Sequence, residues 1–288
     1  MNTLDTTLVK PFIPTIKQRN SFFDALFYDI GNLTNEEISD FSPLLDREGS
    51  IIVIPPQSSN KKISRYPNVS SFLESELDNI RIVAIAGVGS TALGTAALAR
   101  NIANVYEIDV VGIVSGYGVS DLITEALGGW FFYSATDAIR HEIREALNRF
   151  SVDNQTESER NLLPIAQDVN ALIKILNASP PNLSLLVGHS KGDFLLDFAL
   201  ENFVKKLNGT SHPYFENLQI ATFGAVADFP PEFKNVHQFL GAIDWFGGIN
   251  SRLDVHHIKV PNAWHHLNSV FPFYLPIEKT LKQYVKIT

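Results

Sequence analysis

The chain has 288 residues, 45% hydrophobic and 19% charged, a balance that a soluble globular protein with a large core carries. Its net charge of −8 argues against nucleic acid or an anionic membrane surface as the main partner. No cysteine is present, which excludes disulfides, thiolate metal sites and cysteine nucleophiles.

Met1 to Lys17 has no apolar core of the kind a cleavable leader needs, and no stretch reaches the length of an integral membrane segment. Cytoplasmic residence is the expectation, with export by a route that reads no cleavable signal left open. Residues 1–80 read as N-terminal edge strands and covering helices of the same domain as the rest, with no catalytic motif. Ser21 to Ile30 predicts an aromatic-rich helix ended by Gly31. Ile51 to Ile54 predicts a strand stopped by Pro55-Pro56, and Val69 to Leu77 a helix.

From Arg81 onward strand and helix patterns alternate, the signature of a mostly parallel sheet covered on both faces. Arg81–Ala86 predicts a strand, Gly87-Val88-Gly89-Ser90 a tight loop, Thr91–Ala103 a helix of small residues, and Asp109–Val114 the next strand. A lid-like insertion is expected at 117–160: hinge-suited Gly128-Gly129, the apolar run Trp130-Phe131-Phe132-Tyr133, and a polar stretch from Ser151 to Arg160. Pro164 opens a helix whose Ile165, Val169, Leu172, Ile173 and Leu176 recur at helical spacing.

Leu183 to Val187 is then an apolar run broken by Gly188-His189-Ser190-Lys191-Gly192. A helix begins at once, with Phe194, Leu195, Phe198, Ala199, Phe203 and Leu207 on one face and Gly209 as its stop. A serine at the tip of a sharp strand-to-helix turn needs nearly side-chain-free neighbours, and Gly188 and Gly192 supply them. Further strands are predicted over Gln219–Phe223, Val236–Ala242 and Val255–Val260, with a last helix from about Pro276.

A serine hydroxyl is a poor nucleophile at neutral pH and needs a base in hydrogen-bond reach, itself oriented by a carboxylate. In a parallel sheet such residues meet at loops leaving the C-terminal strand ends. Three loops of that kind carry suitable groups: Ser190, Asp244 after its strand, and the His265/His266 pair after the last one. An oxyanion would take one N–H from Lys191, directly after the serine, and a second from Val88, where Gly87 and Gly89 let the backbone approach. Asp254 precedes the last strand and so sits at the wrong end. His256 and His257 fall inside that strand with structural roles, and His189 is held within the turn, either as packing or as a support behind the residues that react.

The order Ser, Asp, His is that of the α/β-hydrolase fold. From about residue 81 to the end the chain resembles that superfamily, most nearly its lipase-like members of the class 3 type. The resemblance rests on Gly188-His189-Ser190-Lys191-Gly192, the strand-end Asp244, and His265-x-Leu267-Asn268. It implies a Ser190–His265–Asp244 charge relay cleaving acyl esters or lipids, without a cofactor or metal. The asparagine three residues on favours His265 over His266, and Asp228, where some lipases carry the acid, is the second choice.

Two other classes are legible. Gly87-x-Gly89-x-x-Ala92, after a strand and before a helix, matches a dinucleotide-binding fingerprint and admits a nicotinamide or flavin oxidoreductase. That reading expects an acid at the end of the second strand; here the strand ends Val114-Ser115-Gly116, and Glu107 and Asp109 lie at its opposite edge. A hydrolase-like scaffold that binds a partner without turnover is the third.

Overall fold

The computed structural model describes residues 24–41, 48–87, 90–115, 167–249 and 251–287. The expected lid at 117–160, the opening of the helix at Pro164, and Val88 and Gly89 all lie outside the described residues.

Three apolar runs, Ile82–Ile85 (β3), Val110–Ile113 (β4) and Leu185–His189 (β5), are buried at every position. Strands that show no polar alternation must be covered on both faces. They are. Ile82 and Ala84 of β3 and Leu185 and Val187 of β5 face one core, with Ala96 and Ile102 of one helix and Ile277 and Leu281 of another. Their alternate neighbours Val83, Ile85 and Leu186 face a second core, with Leu172, Ile175, Leu196 and Phe203.

The remaining strands are β1 (Ile51–Ile54), β2 (Ser64–Tyr66), β6 (Gln219–Phe223), β7 (Asn235–Gly241) and β8 (Ile258–Val260). The described helices are α1 (Asn35–Asp40), α2 (Val69–Glu76), α3 (Ala92–Tyr106), α4 (Gln167–Ala178), α5 (Lys191–Leu207), α6 (Tyr214–Asn217), α7 (Trp245–Ile249) and α8 (Ile277–Tyr284), and 24–27 form a further helical turn. Small residues let α3 lie close to the sheet: a side chain at Gly112 of β4 would meet Thr95 at 2.8 Å. The helix α5 ends as its sequence predicts, at Asn208 (φ 45°) followed by Gly209 (φ 82°), both left-handed.

The strands form one sheet in the order β2-β1-β4-β3-β5-β6-β7-β8. β1 runs antiparallel to both its neighbours, and the remaining pairs are parallel. The chain steps outward from β3 to β4 and then returns to place β5 on the other side of β3. The connections therefore reverse direction between β3 and β5, and Ile85 and Gly188 lie opposite each other at the C-terminal ends of those two strands. A reversal of this kind opens a crevice above the strand ends, because the two connections leave toward opposite sides. The last strand is shorter than its sequence predicts. β8 begins at Ile258, so His256 and His257 lie in the turn before it, not within it; Arg252 pairs there with Asp254, and His257 bonds the Val255 carbonyl.

Candidate active site

Ser190 stands at the junction of β5 and α5, above the crevice, with φ 57° and ψ −118°. A residue with a Cβ adopts such a backbone at a cost of about 1–3 kcal/mol, so the surroundings must hold it there. They do so by packing that only glycine permits. A Cβ at Gly192 would lie 2.4 Å from the Ile85 carbonyl oxygen, and one at Gly188 2.4 Å from the Asp193 carboxyl. The Ser190 amide also donates to the Phe223 carbonyl at 2.8 Å, tying the corner to β6. Lys191 opens α5, so its amide stands in the first turn of that helix, directly after Ser190.

His265 follows β8 by a few residues and Asp244 follows β7, and both reach the same corner. His265 Nε2 lies 3.0 Å from Ser190 Oγ, and its Nδ1 lies 2.8 Å from Asp244 Oδ2. The other carboxylate oxygen of Asp244 accepts the Gly247 amide at 2.7 Å. With both oxygens acting as acceptors, Nδ1 carries the ring proton and Nε2 is left to accept from the serine hydroxyl. All three side chains are buried, and the imidazole packs edge-on against Phe246 and Phe27. In this arrangement the imidazole can take the hydroxyl proton, and the carboxylate can balance the charge that results.

The alternatives from the sequence lie elsewhere. The ring of His266 donates from Nε2 to the Pro272 carbonyl at 3.1 Å, away from Ser190, and burial lowers its basicity. Asp228 is exposed and faces Arg252 at 3.9 Å, as an outlying surface charge. Among the described residues no group of three or more His, Asp or Glu is arranged to hold a metal ion. The start of α3, where a dinucleotide would seat its pyrophosphate, is taken by a carboxylate of the protein itself. Asp24 accepts from the Thr91 amide at 3.0 Å, from the Thr91 hydroxyl at 2.5 Å and from the Ser90 hydroxyl at 2.9 Å.

Sequence reasoning missed that acid and its neighbour Tyr28. Burial raises the Asp24 carboxyl from 3.8 to about 7, although the bonds from Thr91 and Ser90 pull the other way. The Tyr28 hydroxyl accepts the Gly87 amide at 2.7 Å and meets His189 Nδ1 at 2.8 Å. The one signal in the sequence was an acidic residue inside an aromatic run, Phe22-Phe23-Asp24-Ala25-Leu26-Phe27-Tyr28, which no exposed helix requires. Of the two readings of His189, the supporting one fits its contacts: its Nε2 donates to the His265 carbonyl at 3.0 Å.

A mostly parallel sheet with a strained serine corner after β5, and an acid and a histidine arriving in that order from later strand ends, defines the α/β-hydrolase fold. No family model matches the sequence, and no curated protein matches it. Solved structures similar to it in outline include two hydrolases. One is a dienelactone hydrolase from Anabaena variabilis ATCC 29413, at 12% identity and a TM-score of 0.38, covering 71% of this chain and 85% of that one. The other is a dienelactone hydrolase-like promiscuous phosphotriesterase from metagenomic libraries, at 13% identity and a TM-score of 0.36, covering 71% and 82%.

Proposed function

We propose that the protein is a serine hydrolase that cleaves carboxylic esters through an acyl-enzyme. The observation that carries this reading is the chain of contacts from Ser190 Oγ through His265 to Asp244, 3.0 and 2.8 Å long, at a serine held in a strained backbone. Ser190 attacks the ester carbonyl while His265 takes its proton. The tetrahedral oxyanion collapses, the acyl–oxygen bond to the leaving alcohol breaks, and His265 returns the proton to that alcohol. Water, deprotonated by the same imidazole, then attacks the acyl-enzyme and frees the acid and Ser190.

The oxyanion takes one N–H from Lys191. The second is assigned to Val88, in the loop after β3, where Gly87 and Gly89 let the backbone approach. The Gly87 amide is given to Tyr28, that of Ser90 to the Gly87 carbonyl, and that of Thr91 to Asp24.

The substrate class follows from the apolar side chains next to the site. Trp245 follows Asp244 directly and is 60% exposed, and Phe273, 57% exposed, bonds through its carbonyl to the amide of Trp264, beside His265. Such exposed apolar surface suits an acyl chain better than a small polar ester. The test is labelling by a fluorophosphonate probe, followed by p-nitrophenyl acyl esters of increasing chain length. The reading expects labelling that disappears in Ser190→Ala, and turnover that rises with acyl length. A folded wild-type protein that the probe leaves unlabelled refutes it.

A further inference from the structure

We infer that Tyr28 is a positioning residue: its one hydroxyl holds the oxyanion loop and the general base in register. The inference rests on the hydrolase reading and names a group outside the Ser–His–Asp set on which the rate depends.

The hydrogen-bond directions leave a single consistent assignment. The Gly87 N–H can only donate, so the phenol oxygen accepts it, at 2.7 Å. The His265 carbonyl can only accept, so His189 Nε2 carries the ring proton, at 3.0 Å. His189 is buried, and burial beside His265 lowers its pKa to about 3, so the ring is neutral and Nδ1 is an acceptor. The phenol proton therefore goes to Nδ1, at 2.8 Å. The result is one directed chain: Gly87 N–H to Tyr28, Tyr28 O–H to His189, His189 N–H to the main chain of His265. Every member is buried, away from bulk solvent.

The ends of this chain are the two loops that must cooperate. Gly87 precedes the assigned oxyanion donor, and His265 is the base. The segment that carries Tyr28 grips both loops elsewhere as well. Asp24 holds Ser90 and Thr91 at the far end of the oxyanion loop. The Phe27 and Ala25 carbonyls accept from the Leu267 amide and the Asn268 side chain, just after the base, both at 2.7 Å. Tyr28 is the member of that segment that bonds to both sides through one atom. Removing its hydroxyl leaves a buried Gly87 N–H and a buried His189 nitrogen without partners, and either loop must shift to satisfy them.

The experiment is active-site titration with a fluorophosphonate, read as both end point and rate per titrated site, on wild type and Tyr28→Phe. The expectation is a full end point with a per-site rate reduced about fivefold or more and an ester KM within about threefold, because misplacement by a fraction of an ångström slows chemistry before it weakens binding. A purely structural role gives fewer titratable sites with an unchanged rate per site, and that result overturns the inference. If Tyr28→Phe does not fold, His189→Gln decides. It keeps a donor for the His265 carbonyl and breaks the link to the phenol, so the same fall in per-site rate is expected, and a wild-type rate overturns the inference. A wild-type protein that never titrates sinks the hydrolase reading itself. A titrating wild type with an equally fast Tyr28→Phe sinks only the role of Tyr28.

Discussion

Replacing Asp244 by asparagine changes one atom and almost no volume, and the surroundings of the carboxylate decide what that atom does. Oδ1 accepts the Gly247 amide at 2.7 Å and Oδ2 accepts His265 Nδ1–H at 2.8 Å. In Asp244→Asn only one oxygen remains. If it stays on Gly247, the side-chain NH2 faces the imidazole and drives its proton to Nε2, where it points at Ser190 and removes the base. If the amide flips, its NH2 meets the Gly247 N–H, and two buried donors face each other. Leaving a buried donor unmet costs about 1–3 kcal/mol. At about 2 kcal/mol, only one molecule in about 30 would hold the useful orientation. Loss of the negative charge that balances the imidazolium adds to this, so the total fall in acylation rate is expected at about 10³–10⁴-fold. The assay is the second-order rate of fluorophosphonate labelling, with the melting temperature as a control. A folded Asp244→Asn protein that labels within about tenfold of wild type would refute the reasoning, since the tautomer argument allows no such leak.

The two adjacent histidines separate cleanly: His265→Gln is expected to abolish labelling, whereas His266→Gln, whose ring serves the Pro272 carbonyl, is expected to label within about threefold of wild type. Chemical denaturation should rank two glycines. Gly192→Ala drives a Cβ to 2.4 Å from the Ile85 oxygen and should cost at least about 1–3 kcal/mol. Gly209→Ala meets nothing within 4 Å, so only its positive φ counts, and it should cost about 1 kcal/mol. Asp24 and His189 oppose each other in pH dependence, since burial raises the first from 3.8 to about 7 and lowers the second from 6.5 to about 3. Between about pH 4 and 6.5, folding takes up a proton at Asp24 and releases one at His189, so their contributions to the slope cancel in wild type. Asp24→Asn removes the Asp24 share, and stability measured by urea unfolding should then fall relative to wild type as pH drops below 6.5, by up to about 1.4 kcal/mol per unit. His189→Gln removes the His189 share, and stability should fall relative to wild type as pH rises from about 4 toward 6.5; curves parallel to wild type would show that neither group titrates as its burial demands.

Much of the sheet was legible because its signals are local. A strand buried on both faces reads as an unbroken apolar run, and β3, β4, β5 and β6 lie within one or two residues of where such runs predict them. The glycines around Ser190 were legible for the same reason, since a turn that tight admits few residue types. The strand assigned over Val255–Val260 came out short because an apolar and histidine-rich run does not reveal where strand pairing starts. That start depends on β7, whose Phe239 is the first residue to pair with Ile258.

The sequence by itself determined the alternation of strand and helix, the serine corner, and a short set of acids and bases at later strand ends. It did so because each depends on neighbours a few positions away. Tertiary structure alone decided that His265 and not His266 turns toward Ser190, that Asp244 and not Asp228 lies behind it, and that a segment without any motif braces the whole. Those choices rest on contacts between residues as far apart as Tyr28 and His189, or Asp24 and Thr91. No periodicity encodes which way a side chain leaves its loop once distant elements have packed against it.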